Sequence, residues 1–280
     1  MPIGPRLRSL LFVPGDDGGK LAKAVDVPAD ALLVDWEDSV ASQNKAKARA
    51  QTIKLTQQGF SLQQAMFIRI NPVCSSAFEG DCEAIGKCAV DGILLSKCAS
   101  ADDVRLLEQI LNGVAMLKKC RIYPLIESPS ALINASSIAT ASDRVAALAF
   151  GAEDFSTEMD IVRSEDEIEL LYARSCLVTH SRAAGRDTLD SPCTDFHNPE
   201  RLRAAGTRAR RLGFTGKLAI HPSQVAILNE VFSPSEEELK RASRMIATAS
   251  PDTGVFSFDG RMVDEPILKQ ARKILQKQKG

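Results

Sequence analysis

Two carboxylic acids stand directly behind two apolar runs of the sequence. Glu127 closes "RIYPLIES" and Asp154 follows "VAALAF" in "VAALAFGAED". If the two runs are neighbouring parallel strands, both side chains reach one opening and can share a divalent cation. Mg²⁺ suits such a pair, because it takes one or two carboxylates, keeps waters and leaves positions for substrate oxygens. The histidines His180, His197 and His221 show no paired spacing, which disfavours zinc.

Polar residues also follow most of the other apolar runs. Each is an ordinary loop residue when taken alone, but together they predict one polar mouth. Arg69 is suited to a substrate carboxylate by its planar guanidinium, and an ion pair to Asp35 or Glu37 is compatible with that role. We therefore predict that Arg69, Asp35, Glu37 and Lys97 bind substrate. The complete set at the run ends is Asp35, Glu37, Asp38, Arg69, Asn71, Lys97, Glu127, Glu153, Asp154, His221 and Ser223.

Two of these positions have alternative interpretations. Glu153, beside Asp154, is expected to point elsewhere and to form hydrogen bonds within its own loop. The "HPSQV" turn places Pro222 and Ser223 at the start of a helix, where a phosphate could bind. A plain helix cap at that turn explains the same residues equally well.

The apolar runs alternate with helical patterns, which predicts β-α-β units and a parallel sheet. Seven runs are clear, from "SLLFVPG" to "KLAIHPS", and "GRDTLDSP" supplies a weaker eighth candidate. Eight strands are the number that a closed (β/α)₈ barrel requires, whereas a doubly wound sheet usually has five or six. No G-x-G-x-x-G or Walker A pattern follows any run, which disfavours a nucleotide-binding sheet. The sequence thus predicts an α/β protein with a TIM-type barrel, whose site lies at the C-terminal ends of its strands.

The chain continues beyond the eight units. A long helix is expected at about 163 to 184, ended by Gly185, before the last two strands. We assign residues 1–232 to the catalytic barrel and 233–280 to a C-terminal helical arm or lid. The arm begins with "SPSEEELKRASRMIATA", where Ser233 or Ser235 is the expected helix cap.

Composition excludes several classes of function. The 35 basic and 36 acidic residues nearly cancel and form no long run of one sign, so nucleic-acid binding is not expected. No stretch approaches a membrane span or a signal peptide. Seven cysteines without a C-x-x-C pair indicate reduced thiols and a cytoplasmic protein.

The motifs "LLFVPG", "VDWEDSV" with "KAKAR", "IRIN", "LLSK", "PLIES", "LAFGAEDF", "AIHPSQ" and "GRMVDEP" occur in this order from about residue 8 to 272. In this the chain resembles the citrate lyase beta-subunit and malyl-CoA lyase family of the HpcH/HpaI aldolase superfamily. The resemblance implies a (β/α)₈ barrel with a C-terminal arm, assembled as a homotrimer or hexamer. It also implies Mg²⁺-dependent cleavage or formation of a carbon–carbon bond in a 3-hydroxyacyl-CoA such as malyl-CoA, citramalyl-CoA or citryl-CoA, with a 2-keto acid as the second product.

The resemblance assigns roles by position. Glu127 and Asp154 become metal ligands, in agreement with the spacing argument, and Arg69 grips the small keto acid. Asp264 of "MVDEP" becomes an acid and base that crosses a subunit boundary. From the residues alone, Asp264 is a helix cap, with Pro266 in the first turn. The resemblance places coenzyme A near Phe12, Lys20 and Lys23.

The chain departs from the family pattern at two positions, and two alternatives stay open. Many relatives carry an arginine where "PGDDGGK" has Asp17, and an acid there repels a pyrophosphate, although Lys20 can compensate. Ser96 replaces a usual proline, a change expected to be harmless. One alternative is a Mg²⁺-dependent aldolase acting on a free keto acid without coenzyme A. The other is the beta subunit of a citrate lyase complex.

Overall fold

The computed structural model describes residues 7–57, 64–249 and 254–276. Eight parallel strands, β1 to β8, close into a barrel in which every strand pairs with its neighbours in sequence and β8 pairs with β1. The fold predicted from the sequence is therefore confirmed. The strands are β1 (Ser9–Pro14), β2 (Ala31–Asp35), β3 (Ala65–Ile70), β4 (Gly92–Leu95), β5 (Arg121–Ile126), β6 (Ala147–Phe150), β7 (Asp187–Asp190) and β8 (Gly216–Ala219).

Helices connect the strands and form the outer layer. They are α1 (Gly18–Ala24), α2 (Lys45–Gln57), α3 (Phe78–Ile85), α4 (Ala101–Asn112), α5 (Pro129–Ile133), α6 (Ala135–Thr140), α7 (Ala152–Glu158), α8 (Leu171–Ala183), α9 (Pro199–Leu212) and α10 (Ser223–Val231). Short 3₁₀ turns at Ser42–Asn44, Ala115–Leu117 and Ile168–Leu170 complete the connections.

The alternation of side chains along each strand divides the core into two layers. One layer fills the barrel and takes at least one apolar residue from every strand, while the larger layer lies between the strands and the helices. The inner layer includes Leu10, Leu33, Phe67, Leu94, Tyr123, Ala149, Leu189 and Leu218.

The two inner aromatic rings explain a glycine in β4. Phe67 and Tyr123 lie with their ring centroids 4.6 Å apart. A Cβ atom at Gly92 would come within 2.7 Å of the Tyr123 ring and 3.0 Å of the Phe67 ring. Only glycine leaves room for both rings. A larger residue at position 92, where β4 begins, would clash with them.

Two local predictions can be compared with the structure. The weak run "GRDTLDSP" does form a strand, β7, which completes the barrel. The long helix predicted at 163 to 184 is shorter, because α8 begins only at Leu171 and Glu167 has a left-handed φ of 54°. Its end agrees with the prediction, since Gly185 follows with a φ of 69°.

The segment after α10 forms a small cluster of its own. It contains α11 (Glu236–Thr248), a hairpin of β9 (Phe256–Phe258) and β10 (Arg261–Val263), and α12 (Glu265–Gln276). Ser235, one of the two predicted caps, closes the first turn of α11 in a capping box with Glu238. The buried residues of this C-terminal cluster are Ala242, Met245, Phe258, Val263, Leu268 and Ala271. The boundary between residues 232 and 233 remains a prediction, and residues 250–253 and 277–280 lie outside the described part.

Every helix of the described residues is too short or too polar to cross a membrane. All seven cysteines are described and none forms a disulfide.

Candidate active site

Arg69, in β3, is held by the carboxylates that follow β2. Its Nε and Nη2 donate to the two oxygens of Asp35, each at 2.6 Å. Its Nη1 lies 2.9 Å from Glu37 Oε2 and 3.2 Å from Asp38 Oδ2. Of the two roles foreseen for Arg69, the structure therefore shows the ion pair, and its Nη1 end carries the looser contact.

The surroundings of Arg69 fix its charge. The guanidinium lies 4.8 Å above the centroid of the Phe12 ring, within range of a cation–π contact. Burial lowers the pKa of Arg69, but the Asp35, Glu37 and Asp38 carboxylates outweigh it and raise the pKa overall. Burial likewise raises the pKa of Asp35, and the two hydrogen bonds from Arg69 more than reverse that effect. Both groups are charged at neutral pH.

A second cation, Lys45, shapes the loop after β2. Lys45 Nζ, in α2, donates to the Trp36 and Glu37 carbonyl oxygens at 2.8 and 2.9 Å and to Asn71 Oδ1 at 2.8 Å. Asn71 is in turn held by Asp81, whose Oδ2 accepts from the Asn71 backbone N–H at 2.8 Å and from Nδ2 at 2.7 Å. The signal was present, because Lys45 opens the "KAKAR" motif one helix turn before Arg49.

Arg49 completes that support. Its Nε donates to Asp81 Oδ1 at 2.7 Å, and the Asp81 side chain is fully buried. Lys45 and Arg49 therefore stabilise the loop after β2, which contains Glu37, and the loop after β3, which contains Asn71.

Glu127 lies at the end of β5, against the backbone of β6. Its Oε1 accepts the Lys97 backbone N–H at 2.5 Å, whereas no hydrogen bond to Oε2 occurs among the described residues. A Cβ at Gly151 would meet Glu127 Cβ at 2.5 Å and Oε2 at 2.7 Å, so only glycine admits the carboxylate there. Gly151 belongs to the "GAED" motif, and its lack of a side chain makes room for the Glu127 carboxylate.

The electrostatic environment of Glu127 disfavours its negative charge. Burial raises the pKa of this carboxyl to about 8, and the negative charges of Glu37 and Asp154 also raise it. The hydrogen bond from the Lys97 N–H acts in the opposite direction and lowers the pKa. Burial also raises the pKa of Glu37 to about 7, although Arg69 acts in the opposite direction. A positive charge brought close to these carboxylates would stabilise their ionised forms.

Lys97, at the end of β4, connects the acids of the mouth. Its Nζ lies 3.5 Å from Asp154 Oδ2 and 3.7 Å from Glu37 Oε1. Burial lowers the pKa of Lys97, but Asp154, Glu37 and two further acids outweigh it and raise the pKa. The structure therefore brings Glu127 and Asp154 to the same lysine, one at its backbone and one at its side chain.

The residues present fit a Mg²⁺ site of few protein ligands. No group of three or more His, Cys, Asp or Glu side chains within residues 7–57, 64–249 and 254–276 is arranged to hold a metal ion. Mg²⁺ does not require one, because it commonly binds through one or two carboxylates and completes its shell with water and substrate oxygens. Glu127 meets that description, since no hydrogen bond to its Oε2 and no ion pair to its carboxylate occurs among the described residues. Asp154, at the start of α7, is half-exposed and accessible.

The residues predicted to bind coenzyme A have different neighbours. The Phe12 ring lies against Arg69. Asp17 caps α1 by accepting the Lys20 backbone N–H at 3.0 Å, and Lys20 Nζ lies 3.5 Å from Asp17 Oδ2. Lys23 is exposed in the last turn of α1. Lys20 therefore lies beside Asp17, and its compensation for that acid towards a pyrophosphate stays a prediction. The contact of Phe12 with Arg69 was not indicated by the sequence.

Asp264 is placed as the sequence alone indicated. Its Oδ1 accepts the Ile267 backbone N–H at 3.2 Å, and its carbonyl oxygen accepts that of Leu268, so it caps α12. Within the described residues no hydrogen bond or ion pair joins Asp264 to Arg69, Glu127 or Asp154. The acid and base role stays a prediction for another copy of the chain.

Two further candidates point away from the acids. Glu153 pairs with Arg163 and leaves Asp154 as the acid nearest Lys97. His221 Nδ1 lies 2.7 Å from Ser223 Oγ, and its ring stacks on Phe196 with centroids 4.9 Å apart. The Ser223 backbone N–H also donates to His221 Nδ1 at 3.3 Å, whereas no side chain at the N-cap position, Pro222, caps α10.

Comparison with known proteins identifies the family of this chain. The family model described as HpcH/HpaI aldolase/citrate lyase matches residues 8–222. The chain belongs to the HpcH/HpaI aldolase/citrate lyase family. It is 34% identical to the citrate lyase subunit beta-like protein of Deinococcus radiodurans, over 96% of each chain. It is 30% identical to the human mitochondrial citramalyl-CoA lyase, over 95% of this chain and 83% of the relative.

A solved relative is similar over its whole length. The crystal structure of CitE from Mycobacterium tuberculosis, in complex with magnesium, acetoacetate and coenzyme A, superposes with a TM-score of 0.83. It is 29% identical and covers 99% of this chain, which in turn covers 98% of CitE. The family predicted from the motifs is thus confirmed.

Proposed function

We propose that this protein is a Mg²⁺-dependent carbon–carbon lyase that cleaves, or in reverse forms, a 3-hydroxyacyl-CoA such as malyl-CoA, citramalyl-CoA or citryl-CoA. The products of cleavage are an acyl-CoA and a 2-keto acid. The observation that carries the proposal is the mouth in which Arg69, Glu37, Lys97, Glu127 and Asp154 meet. The names of the relatives, which include a lyase of citramalyl-CoA, support the substrate class.

Glu127 and Asp154 are the residues that would hold Mg²⁺. The bound ion would supply Lewis-acid polarisation of the substrate hydroxyl and carboxylate. Gly151 allows the Glu127 carboxylate to approach the β6 backbone, and the Lys97 N–H fixes one of its oxygens. The second oxygen, Oε2, is then the one available to the ion.

Arg69 would orient the carboxylate of the keto-acid half. Its Nε and Nη2 stay engaged with buried Asp35, which holds the guanidinium plane against the Phe12 ring. Nη1 is the end that can change partner, because Asp38 is more than half exposed and 3.2 Å away. A substrate carboxylate that displaced Asp38 would receive a charge-assisted hydrogen bond from Nη1.

Cleavage requires three balanced changes. The hydroxyl proton passes to water, the electron pair left on the oxygen forms the carbonyl of the keto acid, and the bond to the thioester α-carbon breaks with its electron pair remaining on that carbon. That carbon then takes up a proton, which we assign to Asp264 of a neighbouring copy. Because Asp264 makes no described contact with the mouth of its own chain, we further propose a homo-oligomer, a trimer or a hexamer, in which the arm after residue 232 covers an adjacent barrel. Reduced cysteines favour the cytoplasm as its location.

A substrate screen tests the proposal. The purified chain is incubated with Mg²⁺ and malyl-CoA, citramalyl-CoA or citryl-CoA, and the released keto acid is identified by mass spectrometry. We expect cleavage of at least one ester, lost in EDTA and in Asp154→Ala. Full turnover by Asp154→Ala would remove that residue from the metal site, and no turnover of any ester would contradict the substrate class.

A second function is favoured by the relatives. The citrate lyase subunit beta of Haemophilus influenzae is 31% identical over 97% of each chain, as similar as the citramalyl-CoA lyases. The protein would then work within a complex on a thioester carried by a partner. Copurification with two further subunits would support that function, whereas activity of the lone chain on a free CoA ester would exclude it. An aldolase for free keto acids would instead show a thermal shift with pyruvate or oxaloacetate and none with CoA esters.

A further inference from the structure

Lys97 combines three features that substrate binding alone does not explain: a left-handed backbone, a main-chain contact to one predicted metal ligand and an ion pair to the other. We propose that Lys97 is the built-in counter-ion of the metal site, whose ammonium holds Asp154 and Glu37 until a dication replaces it. This inference rests on the proposed function, since it assumes that Glu127 and Asp154 bind the dication.

The backbone of Lys97 serves Glu127. Its φ is 46°, a left-handed conformation that is strained for a residue with a Cβ. In this conformation the Lys97 N–H points at Glu127 Oε1, at 2.5 Å. A glycine would supply the same N–H without strain, so the backbone contact does not account for the lysine side chain.

The ammonium serves Asp154 and Glu37. Its distances of 3.5 and 3.7 Å are those of loose ion pairs, longer than the hydrogen bonds that hold Arg69 in the same mouth. The Lys97 side chain is also 47% exposed, so it can swing outward without uncovering the core. Glu37 stays anchored to Arg69 when the ammonium leaves, because Arg69 Nη1 lies 2.9 Å from its other oxygen.

A dication and the ammonium compete for the carboxylate of Asp154. Mg²⁺ binds its oxygen ligands at about 2.0–2.1 Å, and a cation 3.5 Å from Asp154 Oδ2 repels it. The lysine therefore lowers the affinity for the metal while it limits repulsion between Asp154 and Glu37 when no metal is bound.

Two substitutions separate the side chain from the backbone. Lys97→Met removes the ammonium and keeps a Cβ, whereas Lys97→Gly removes the ammonium and relieves the strain, and both retain the N–H to Glu127. Lys119→Met is the matched control, because Lys119 is exposed and precedes β5, at the opposite end of the barrel. The probes are Mn²⁺, followed by electron paramagnetic resonance, and Mg²⁺, followed by calorimetry.

We expect Lys97→Met and Lys97→Gly to bind both ions about three- to tenfold more tightly than the wild type, as loss of one or two partly exposed ion pairs implies. In EDTA, Lys97→Met should melt at a lower temperature than the wild type, and Lys97→Gly should melt above Lys97→Met. The rise in melting temperature on adding Mg²⁺ should be larger in both variants, and Lys119→Met should match the wild type.

The possible contrary results can be told apart. Unchanged or weaker metal binding by both Lys97 variants, with normal binding by the wild type, would overturn the inference and leave the proposed function intact. An increased KM for the CoA ester at unchanged metal affinity would show that Lys97 holds substrate instead, which also overturns it. A wild-type protein that binds neither ion would overturn the proposed function, and the inference with it.

Discussion

Glu127→Gln is expected to stabilise the protein without divalent cations while it abolishes Mg²⁺ binding. Glutamine keeps an oxygen for the Lys97 N–H at 2.5 Å and removes a buried charge. Burial raises the pKa of Glu127 from 4.5 to about 8, so the folded state binds more protons than the unfolded state between these values. The free energy of unfolding of the wild type therefore falls as pH rises through this window.

The size of the effect follows from that pKa. Each unit by which the folded and unfolded pKa values differ corresponds to about 1.4 kcal/mol, so full ionisation of Glu127 destabilises the folded state by about 3–5 kcal/mol. Relative to the wild type, Glu127→Gln should gain less than about 1 kcal/mol at pH 5 and about 3–5 kcal/mol at pH 9. Urea denaturation in EDTA, followed by circular dichroism across this range, measures the gain.

Glu153→Gln is the control, since Glu153 is exposed and pairs with Arg163 outside the mouth. Its offset from the wild type should stay below about 1 kcal/mol and vary little with pH. Saturating Mg²⁺ should restore the wild type at pH 9 and leave Glu127→Gln unchanged. A gain that did not grow with pH would refute the reasoning from burial, and normal Mg²⁺ binding by Glu127→Gln would remove Glu127 from the metal site.

Three further changes test the supports of the mouth. Gly151→Ala should abolish Mg²⁺ binding measured by calorimetry, because the new Cβ would lie 2.5 Å from Glu127 Cβ, while Gly18→Ala, whose Cβ would meet nothing closer than 3.7 Å, should bind normally. Arg69→Lys should lower the free energy of unfolding in urea by about 3 kcal/mol, since one ammonium cannot replace both hydrogen bonds to buried Asp35, and a loss below about 1 kcal/mol would contradict that pairing. Asp264→Asn should keep the cap of α12 and the melting temperature but lose turnover of the CoA ester, and retained turnover would leave Asp264 with the cap alone.

The barrel and its mouth were predictable because they depend on the order of short apolar runs. A parallel strand buried on both faces reads as a continuous apolar run, and its polar neighbour must emerge at the C-terminal end. That rule brought Arg69, Lys97 and Glu127 to one opening without any contact being known. The rule says nothing about helices, and the predicted long helix was too long at its start, because the left-handed Glu167 and a 3₁₀ turn at Ile168–Leu170 precede α8.

The contacts inside the mouth were less predictable, because they depend on angles and distances that residue order does not specify. Nothing in the sequence shows that the Phe12 ring lies under Arg69, or that Lys97 reaches two acids from a left-handed backbone. The support from Lys45 was visible only as a motif without a role. Gly151 is the clearest case, since a missing side chain has a function only once its neighbour is placed.

The charges of the mouth link the proposed binding of a metal ion to the proposed binding of substrate. Its carboxylates outnumber the guanidinium and ammonium groups that pair with them, and burial already opposes ionisation of Glu127 and Glu37. An anionic substrate would therefore be repelled by the protein alone. A bound dication would lower the negative charge, favour the ionised form of Glu127 and displace Lys97 from Asp154. The same ion would thus let the mouth accept the substrate carboxylate that we propose Arg69 to hold. The acids are Asp35, Glu37, Asp38, Glu127 and Asp154, and the cations paired with them are Arg69 and Lys97.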